Sequence, residues 1–144
     1  MIALGCDHGG YQLKQEVAAY LRDKGIPYED CGCFGTEAVD YPIYARKVGE
    51  KVVSGACEKG ILICGTGIGI SIAANKMKGV RAALCSDCFS AEATRLHNDA
   101  NILCMGGRVL GVGLALKIVE TFLNTPFSGD QRHVRRIQLI EEEK

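Results

Sequence analysis

The residues best placed to do chemistry lie in Ile61-Leu62-Ile63-Cys64-Gly65-Thr66-Gly67-Ile68-Gly69-Ile70-Ser71, where an apolar run ends in a cysteine and passes directly into alternating glycines. A short buried strand that breaks into such a turn and then a helix leaves its last side chain beside unpaired backbone N–H groups. Cys64 is thereby offered as a nucleophile or general base next to an anion cradle. Glycine at positions 65, 67 and 69 lets a ligand approach the backbone closely. An ordinary thiol is only about 3% ionised at pH 7, and backbone donors with a helix dipole raise that fraction. The same residues also describe a structural strand-to-helix turn around a buried cysteine, because free cysteines are commonly buried. The loop is no dinucleotide fingerprint, since Ile70 stands where the last glycine belongs, and no Walker-type lysine and hydroxyl follow. A small anionic or oxygen-rich ligand suits it better than a nucleotide.

Other groups fall into place around this loop. Asp7-His8 ends the first apolar run and reads either as a pair capping the next helix or as a ligand contact. His97-Asn98 lies where a helix runs into a strand, and either closes that helix or supplies the second titratable group that acid–base chemistry needs. Gly106-Gly107-Arg108 follows another apolar run. Arg132 and Arg136, four apart, share one helix face, which grips a phosphate or forms a solvated basic surface with Arg135. Cys85-x-x-Cys88 has redox or metal spacing, but a structural zinc site needs a second pair and Cys31-x-Cys33 is spaced wrongly. No metal is expected.

Positioning these groups requires alternating strands and helices. Apolar runs at Ile2 to Cys6, Ile26 to Cys31, Ile61 to Cys64, Val80 to Leu84 and Ile102 to Met105 read as five strands. Leu13, Val17 and Leu21 mark a first helix stopped at Lys24-Gly25, and Ile43, Val48 and Val52 a second ending near Gly55. Further helices are expected from Ile68 to Lys78, from about Cys88 to Leu96, around Leu114, Ile118 and Phe122, and over about 133–143. Continuous apolar strands separated by helices are the signature of a parallel sheet covered on both faces. The expectation is one α/β domain over 1–144, a doubly wound five-stranded parallel sheet. A topological switch between the first and third strands would bring Asp7-His8 and Cys64-Gly65 to one crevice.

Composition bounds the partners. The chain has 144 residues, a size that favours a homo-oligomer if a deep pocket is to close. Its 17 basic and 17 acidic residues cancel, so no overall field draws it to nucleic acid or an anionic membrane. The eight cysteines, several inside apolar runs, read as reduced thiols. The start lacks a signal peptide's pattern and the apolar run from Ile61 to Asn75 is too short and glycine-rich to span a bilayer, so a cytoplasmic location is expected.

Taken together, Gly5-Cys6-Asp7-His8-Gly9-Gly10 with Leu13-Lys14, Asp40-Tyr41-Pro42, Gly60 to Gly69, His97-Asn98-Asp99-Ala100-Asn101 and Gly107-Arg108-Val109 closely resemble the ribose-5-phosphate isomerase B family, which includes the galactose-6-phosphate isomerase subunits. The resemblance spans essentially the whole chain. It implies a Rossmann-like domain, a homodimer or tetramer with active sites at the subunit interface, no cofactor, and a step of the non-oxidative pentose phosphate pathway. By position, Cys64 resembles the family's catalytic base, His97 the acid that opens the sugar ring, and Asp7 a group near the ring oxygen. Gly65, Thr66, Gly67, Ile68 and Gly69 resemble the anion hole, with Thr66 counted among the catalytic residues. His8, Arg108, Arg132 and Arg136 resemble the phosphate grip, and Asn98 a sugar contact. Isomerisation of a six-carbon phosphosugar, allose 6-phosphate or galactose 6-phosphate, and a non-catalytic phosphosugar-binding module are the alternatives.

Overall fold

A computed structural model describes residues 1–142. The chain runs β1 (Ile2–Cys6), a 3-10 turn (His8–Gly10), α1 (Tyr11–Asp23), β2 (Tyr28–Asp30), α2 (Tyr41–Val53), β3 (Lys59–Cys64), α3 (Ile68–Ala74), β4 (Ala82–Leu84), α4 (Cys88–Asn98), β5 (Ile102–Gly106), α5 (Val112–Asn124) and α6 (Gln131–Glu142). All strand pairings are parallel and the order is β2-β1-β3-β5-β4. The expected five-stranded, doubly wound α/β sheet is thus the observed one.

Side-chain alternation along the inner strands builds two cores. Ile2, Leu4 and Cys6 of β1, Ile61 and Ile63 of β3, and Leu103 and Met105 of β5 pack with Leu13, Val17 and Leu21 of α1 and with Ile118 and Phe122 of α5. The alternate residues Ala3, Leu62, Cys64, Ile102 and Cys104 pack with Val48 and Val52 of α2 and Ile70 and Ala74 of α3. A period of two in strands that are apolar throughout is what burial on both faces requires. Cys64 therefore faces the α2 and α3 side.

Several boundaries differ from the sequence reading. Helix α3 stops at Ala74 instead of Lys78, because the Asn75 side chain turns to β4: its Nδ2 donates to the Ala82 carbonyl at 2.9 Å and its Oδ1 accepts from the Ala82 N–H at 2.8 Å. Strand β4 correspondingly begins at Ala82, since the Arg81 N–H is taken by Asn101 Oδ1 at 2.8 Å. Edge strand β2 is only Tyr28–Asp30. Helix α4 runs on to Asn98, and α6 starts at Gln131, two residues early. The expected end of α6 at residue 143 lies outside the described residues.

One buried charge was hidden in the helical stripe. Lys14 of α1 is fully buried, its Nζ donating to both Asp30 carboxylate oxygens at 2.8 Å and to the Cys33 carbonyl at 2.6 Å. The rings of Phe34 and Tyr11 lie 4.8 and 5.3 Å from the same nitrogen. Desolvating an ammonium is tolerable only with such partners. Asp30 Oδ1 also accepts from the Gly32 N–H at 2.9 Å, so this cluster ties α1, the end of β2 and the segment after it together. Lys14→Met, which keeps the aliphatic stem and removes the charge, is expected to lower the unfolding free energy by about 2–3 kcal/mol in urea titrations. An unchanged midpoint would count against the cluster as a structural tie.

Candidate active site

Strand order assembles the first half of the site. Because β5 returns to lie beside β3, the Gly107 N–H donates to the Cys64 carbonyl at 2.8 Å and the Arg108 N–H to the Gly65 carbonyl at 3.0 Å. On the other flank of β3, the Asp7 N–H donates to the Ile63 carbonyl at 3.2 Å. Three chain segments thus meet at the carboxyl edge of the sheet, with Cys64 in the middle. This is the crevice expected at a topological switch point.

Cys64 is the last residue of β3 and nearly buried, and its Sγ accepts a hydrogen bond from the Gly67 N–H at 3.1 Å. That bond requires the chain to fold back on itself, and Gly67 does so with φ +81°, in the left-handed region. A β-carbon there would lie 2.8 Å from the Met105 carbonyl carbon. The Ile68 N–H is in turn taken by Thr66 Oγ1 at 3.1 Å. Two of the loop donors expected to face a ligand are therefore spent inside the turn, one of them on the sulfur itself. Thr66, with an exposed side chain, closes a local hydroxyl turn just before the Gly67 helix start.

Asp7 is buried, and its Oδ1 accepts from the N–H groups of Gly9 and Gly10 at 2.9 and 3.2 Å, so the capping role expected of it is present. The turn engages that one oxygen of the carboxylate. His8 is half-buried and lines a cavity of about 230 Å³ with Gly9, Gln12, Leu13, Thr36, Gly107 and Arg108. The Arg108 guanidinium lies over the Gly65 loop, its Nη1 3.2 Å from where a β-carbon on Gly65 would stand. One arginine thus spans the cysteine turn and the histidine cavity. A larger open groove of about 530 Å³ between β2 and α2 contains none of these residues.

Sequence reasoning missed two neighbours here. Tyr41, read only as part of the Asp40-Tyr41-Pro42 motif and given no site role, sits over the loop, its ring 2.6 Å from where a Gly69 β-carbon would be. The Val39 N–H donates to His8 Nδ1 at 3.1 Å. The signal for both was the β2-to-β3 crossover, which begins α2 at the carboxyl edge.

His97, Asn98, Arg132 and Arg136 lie elsewhere in the chain, and this corrects any picture of one crevice holding every candidate. His97 ends α4 at the amino edge of the sheet, just before β5, where Asn101 accepts from the N–H of Gly60 at 2.9 Å. From Ile102 to Gly106, β5 separates that edge from the carboxyl edge by about 13 Å at 3.3 Å per residue. There His97 stacks on His133 of α6, ring centroids 4.6 Å apart and planes 21° from parallel. Burial, then the charges of His97 and Arg132, lower the His133 pKa below the ordinary imidazole range, and Arg136 adds to this while Asp130 opposes it. Arg132 approaches Asp130 at 3.9 Å and is exposed, as is Arg136. Asn98 Oδ1 accepts from Thr94 Oγ1 at 3.1 Å, and its carbonyl accepts from Arg81 Nε at 3.0 Å. This second group is rigidly built: Arg81 also reaches Glu141 of α6 at 2.9 Å, and Arg95 holds Asp99 at 2.8 Å.

All eight cysteines are free thiols. Burial, then Asp87, pushes the Cys85 thiol up to about 11, and burial, then Glu29, does the same for Cys31. Such thiols are poor nucleophiles, which weakens a redox role for the Cys85 and Cys88 pair. Among the described residues no cluster of three metal-ligating side chains occurs.

The family model described as Ribose/Galactose Isomerase matches residues 2–140. Ribose-5-phosphate isomerase B of Escherichia coli is 48% identical over 96% of this chain and 93% of that protein. Among solved structures, ribose-5-phosphate isomerase B of Clostridium thermocellum superposes with a TM-score of 0.97 at 53% identity, covering 99% of this chain and 95% of that one. A ribose 5-phosphate isomerase of Thermotoga maritima gives 0.96 at 51% identity, covering 98% and 97%.

Gly67→Ala is expected to cost about 1–3 kcal/mol of stability, from the positive φ and the collision with β5. Gly35→Ala, at an open position without a positive φ and outside any helix or strand, serves as the control and is expected to leave the urea midpoint nearly unchanged. Equal behaviour of the two variants would remove the argument for a glycine-specific turn.

Proposed function

The chain belongs to the ribose/galactose isomerase family, and from that premise we propose that it interconverts D-ribose 5-phosphate and D-ribulose 5-phosphate through an enediolate. The observation that carries the proposal is the Cys64 thiol held by the Gly67 N–H at the start of its turn, next to Gly65, over which lies the Arg108 guanidinium that also lines the His8 cavity.

Aldose–ketose conversion needs a base at carbon, donors for the oxyanion, an acid for ring opening and a remote handle. Cys64 is the base: its sulfur takes the proton from C2 of the open-chain aldose and returns it to C1. The pair of the broken C2–H bond forms a C1–C2 double bond as the carbonyl pair moves onto O1. The proton of the C2 hydroxyl passes to O1, and protonation at C1 then leaves the carbonyl at C2. The negative oxygen of the enediolate is met by the Gly65 to Gly69 loop. Within that loop the Gly67 and Ile68 N–H groups hold the sulfur and Thr66, so they shape the turn, and Gly65, Thr66 and Gly69 are left to face the oxygen. Asp7 receives the sugar hydroxyls on the carboxylate oxygen its turn does not use. His8 and Arg108 hold the phosphate, whose binding energy keeps a small sugar in reacting geometry.

The remaining groups enter from a second copy of the chain. His97, the ring-opening acid, lies at the opposite end of the sheet with Asn98, Arg132 and Arg136, so one chain cannot close the acid–base pair. A two-fold dimer that sets the carboxyl edge of one chain against the amino edge of its partner completes two sites at once. Ile68, Ile72, Leu84 and Phe89, 42–82% exposed around edge strand β4, offer the apolar surface for that contact. A six-carbon phosphosugar as substrate is the second reading, favoured by the galactose half of the family's description.

Two outcomes are expected. Cys64→Ala lowers kcat about a thousandfold, without added metal, and changes phosphosugar binding little by calorimetry; full turnover would refute the assigned base. Co-expression of Cys64→Ala with His97→Ala chains, each nearly inactive alone, restores about a quarter of wild-type activity, because half the dimers are mixed and each carries one intact site. No recovery would place both groups within one chain's site.

A further inference from the structure

His8 is the one imidazole at the carboxyl edge, and its hydrogen bonding decides what it presents to a ligand. A backbone amide can only donate. The Val39 N–H pointing at His8 Nδ1 at 3.1 Å therefore requires a lone pair on that nitrogen, and the ring proton of a neutral imidazole is left on Nε2. An imidazolium would carry a hydrogen on Nδ1 and lose the bond.

Val39 is not a loose loop donor. Its segment is anchored at its start by the Lys14 and Asp30 cluster, where Lys14 holds the Cys33 carbonyl at 2.6 Å and Asp30 holds the Gly32 N–H at 2.9 Å. The Cys33 N–H donates to the Cys6 carbonyl at 2.8 Å, one residue before Asp7. At its other end the segment enters α2, with Asp40 as the helix's first flanking residue and Pro42 in the first turn. The segment is half-buried at Val39 and supplies Thr36 to the wall of the His8 cavity. It thus has a fixed path from which to hold one tautomer, as outer partners of functional histidines do elsewhere.

From this we infer that Val39, through its backbone N–H, is a positioning residue that fixes His8 as the neutral Nε2–H tautomer, so that His8 meets an anionic group in the cavity as an uncharged donor and Arg108 alone brings positive charge there from this chain. The inference rests on the phosphosugar reading for the identity of the anion and on the hydrogen bond alone for the tautomer.

The test has two independent arms. On uniformly 15N-labelled wild-type protein, a trans-hydrogen-bond 15N–15N coupling is expected between Val39 N and His8 Nδ1, with the ring proton on Nε2. An Nδ1–H ring, or no coupling where the Val39 amide is observed, overturns the inference whatever the enzyme turns over. In the second arm, His8→Gln, which places an uncharged donor near the Nε2 position, is expected to raise KM for ribose 5-phosphate by no more than roughly fivefold, the loss of about one ordinary hydrogen bond. His8→Asn, which keeps an acceptor for Val39 but withdraws the donor from the cavity, is expected to raise KM more than His8→Gln does, with kcat changed less than KM in both. Equal and larger losses in the two would mean that the charge of an imidazolium is what the site uses. Titration of inorganic phosphate with the same variants reads the ranking without turnover. If no phosphosugar is isomerised but phosphate affinity and the coupling follow this pattern, the functional reading fails and the tautomer assignment stands.

Discussion

The parallel register of β5 against β3 is the constraint on which the rest depends. Cys64 pairs with Gly106, so the cysteine turn and the Gly107-Arg108 turn leave the sheet side by side. Had the fifth strand added beyond the fourth, as chain order would suggest, Arg108 would emerge a strand further away and the guanidinium could not lie over Gly65. The outward position of β4 is the other side of this arrangement: it leaves a short strand at the sheet edge, flanked by exposed apolar residues of α3 and α4. The topology that gathers Cys64, His8 and Arg108 at one edge thus also leaves an apolar surface beside β4 uncovered in the single chain.

Much of this was legible in the residues. Apolar runs of uniform character announced a sheet covered on both faces, and the glycine spacing after Cys64 announced the turn. What periodicity could not carry was order. Strand sequence says nothing about which neighbours pair, so the adjacency of Gly107 to Cys64 had to come from the fold. Boundaries moved where a side chain competed with the backbone, as Asn75 does at the end of α3 by pairing with Ala82. The position of His97 was read as a helix end before a strand, which in an all-parallel sheet already means the amino edge; its stacking on His133 of α6 is what no local pattern revealed.

The candidate site shows the same division between composition and geometry. Every residue type that an aldose–ketose isomerisation needs was visible along the chain. Their partition into a carboxyl-edge group and an amino-edge group follows from which residues leave a strand and which enter one, whereas the spending of the Gly67 and Ile68 N–H groups inside the turn was not visible. Lys14 was similarly opaque: in a stripe containing Leu13 and Val17 it looks like a boundary residue, and only Asp30, sixteen positions away, explains its burial. Its partners hold the segment that reaches His8, so a charge with no contact to the cavity contributes to the shape of its wall.

The central place of β3 in the sheet has a dynamic consequence. A strand hydrogen-bonded on both sides and covered on both faces opens only when the whole domain does, so the amides of Ile61 to Ile63 belong to the slowest-exchanging unit of the molecule. The edge strands β2 and β4, three residues each, fray at far lower cost. Cys64 ends that slow unit and its sulfur is tied to the Gly67 N–H, so the thiol keeps a fixed station for as long as the domain stays folded.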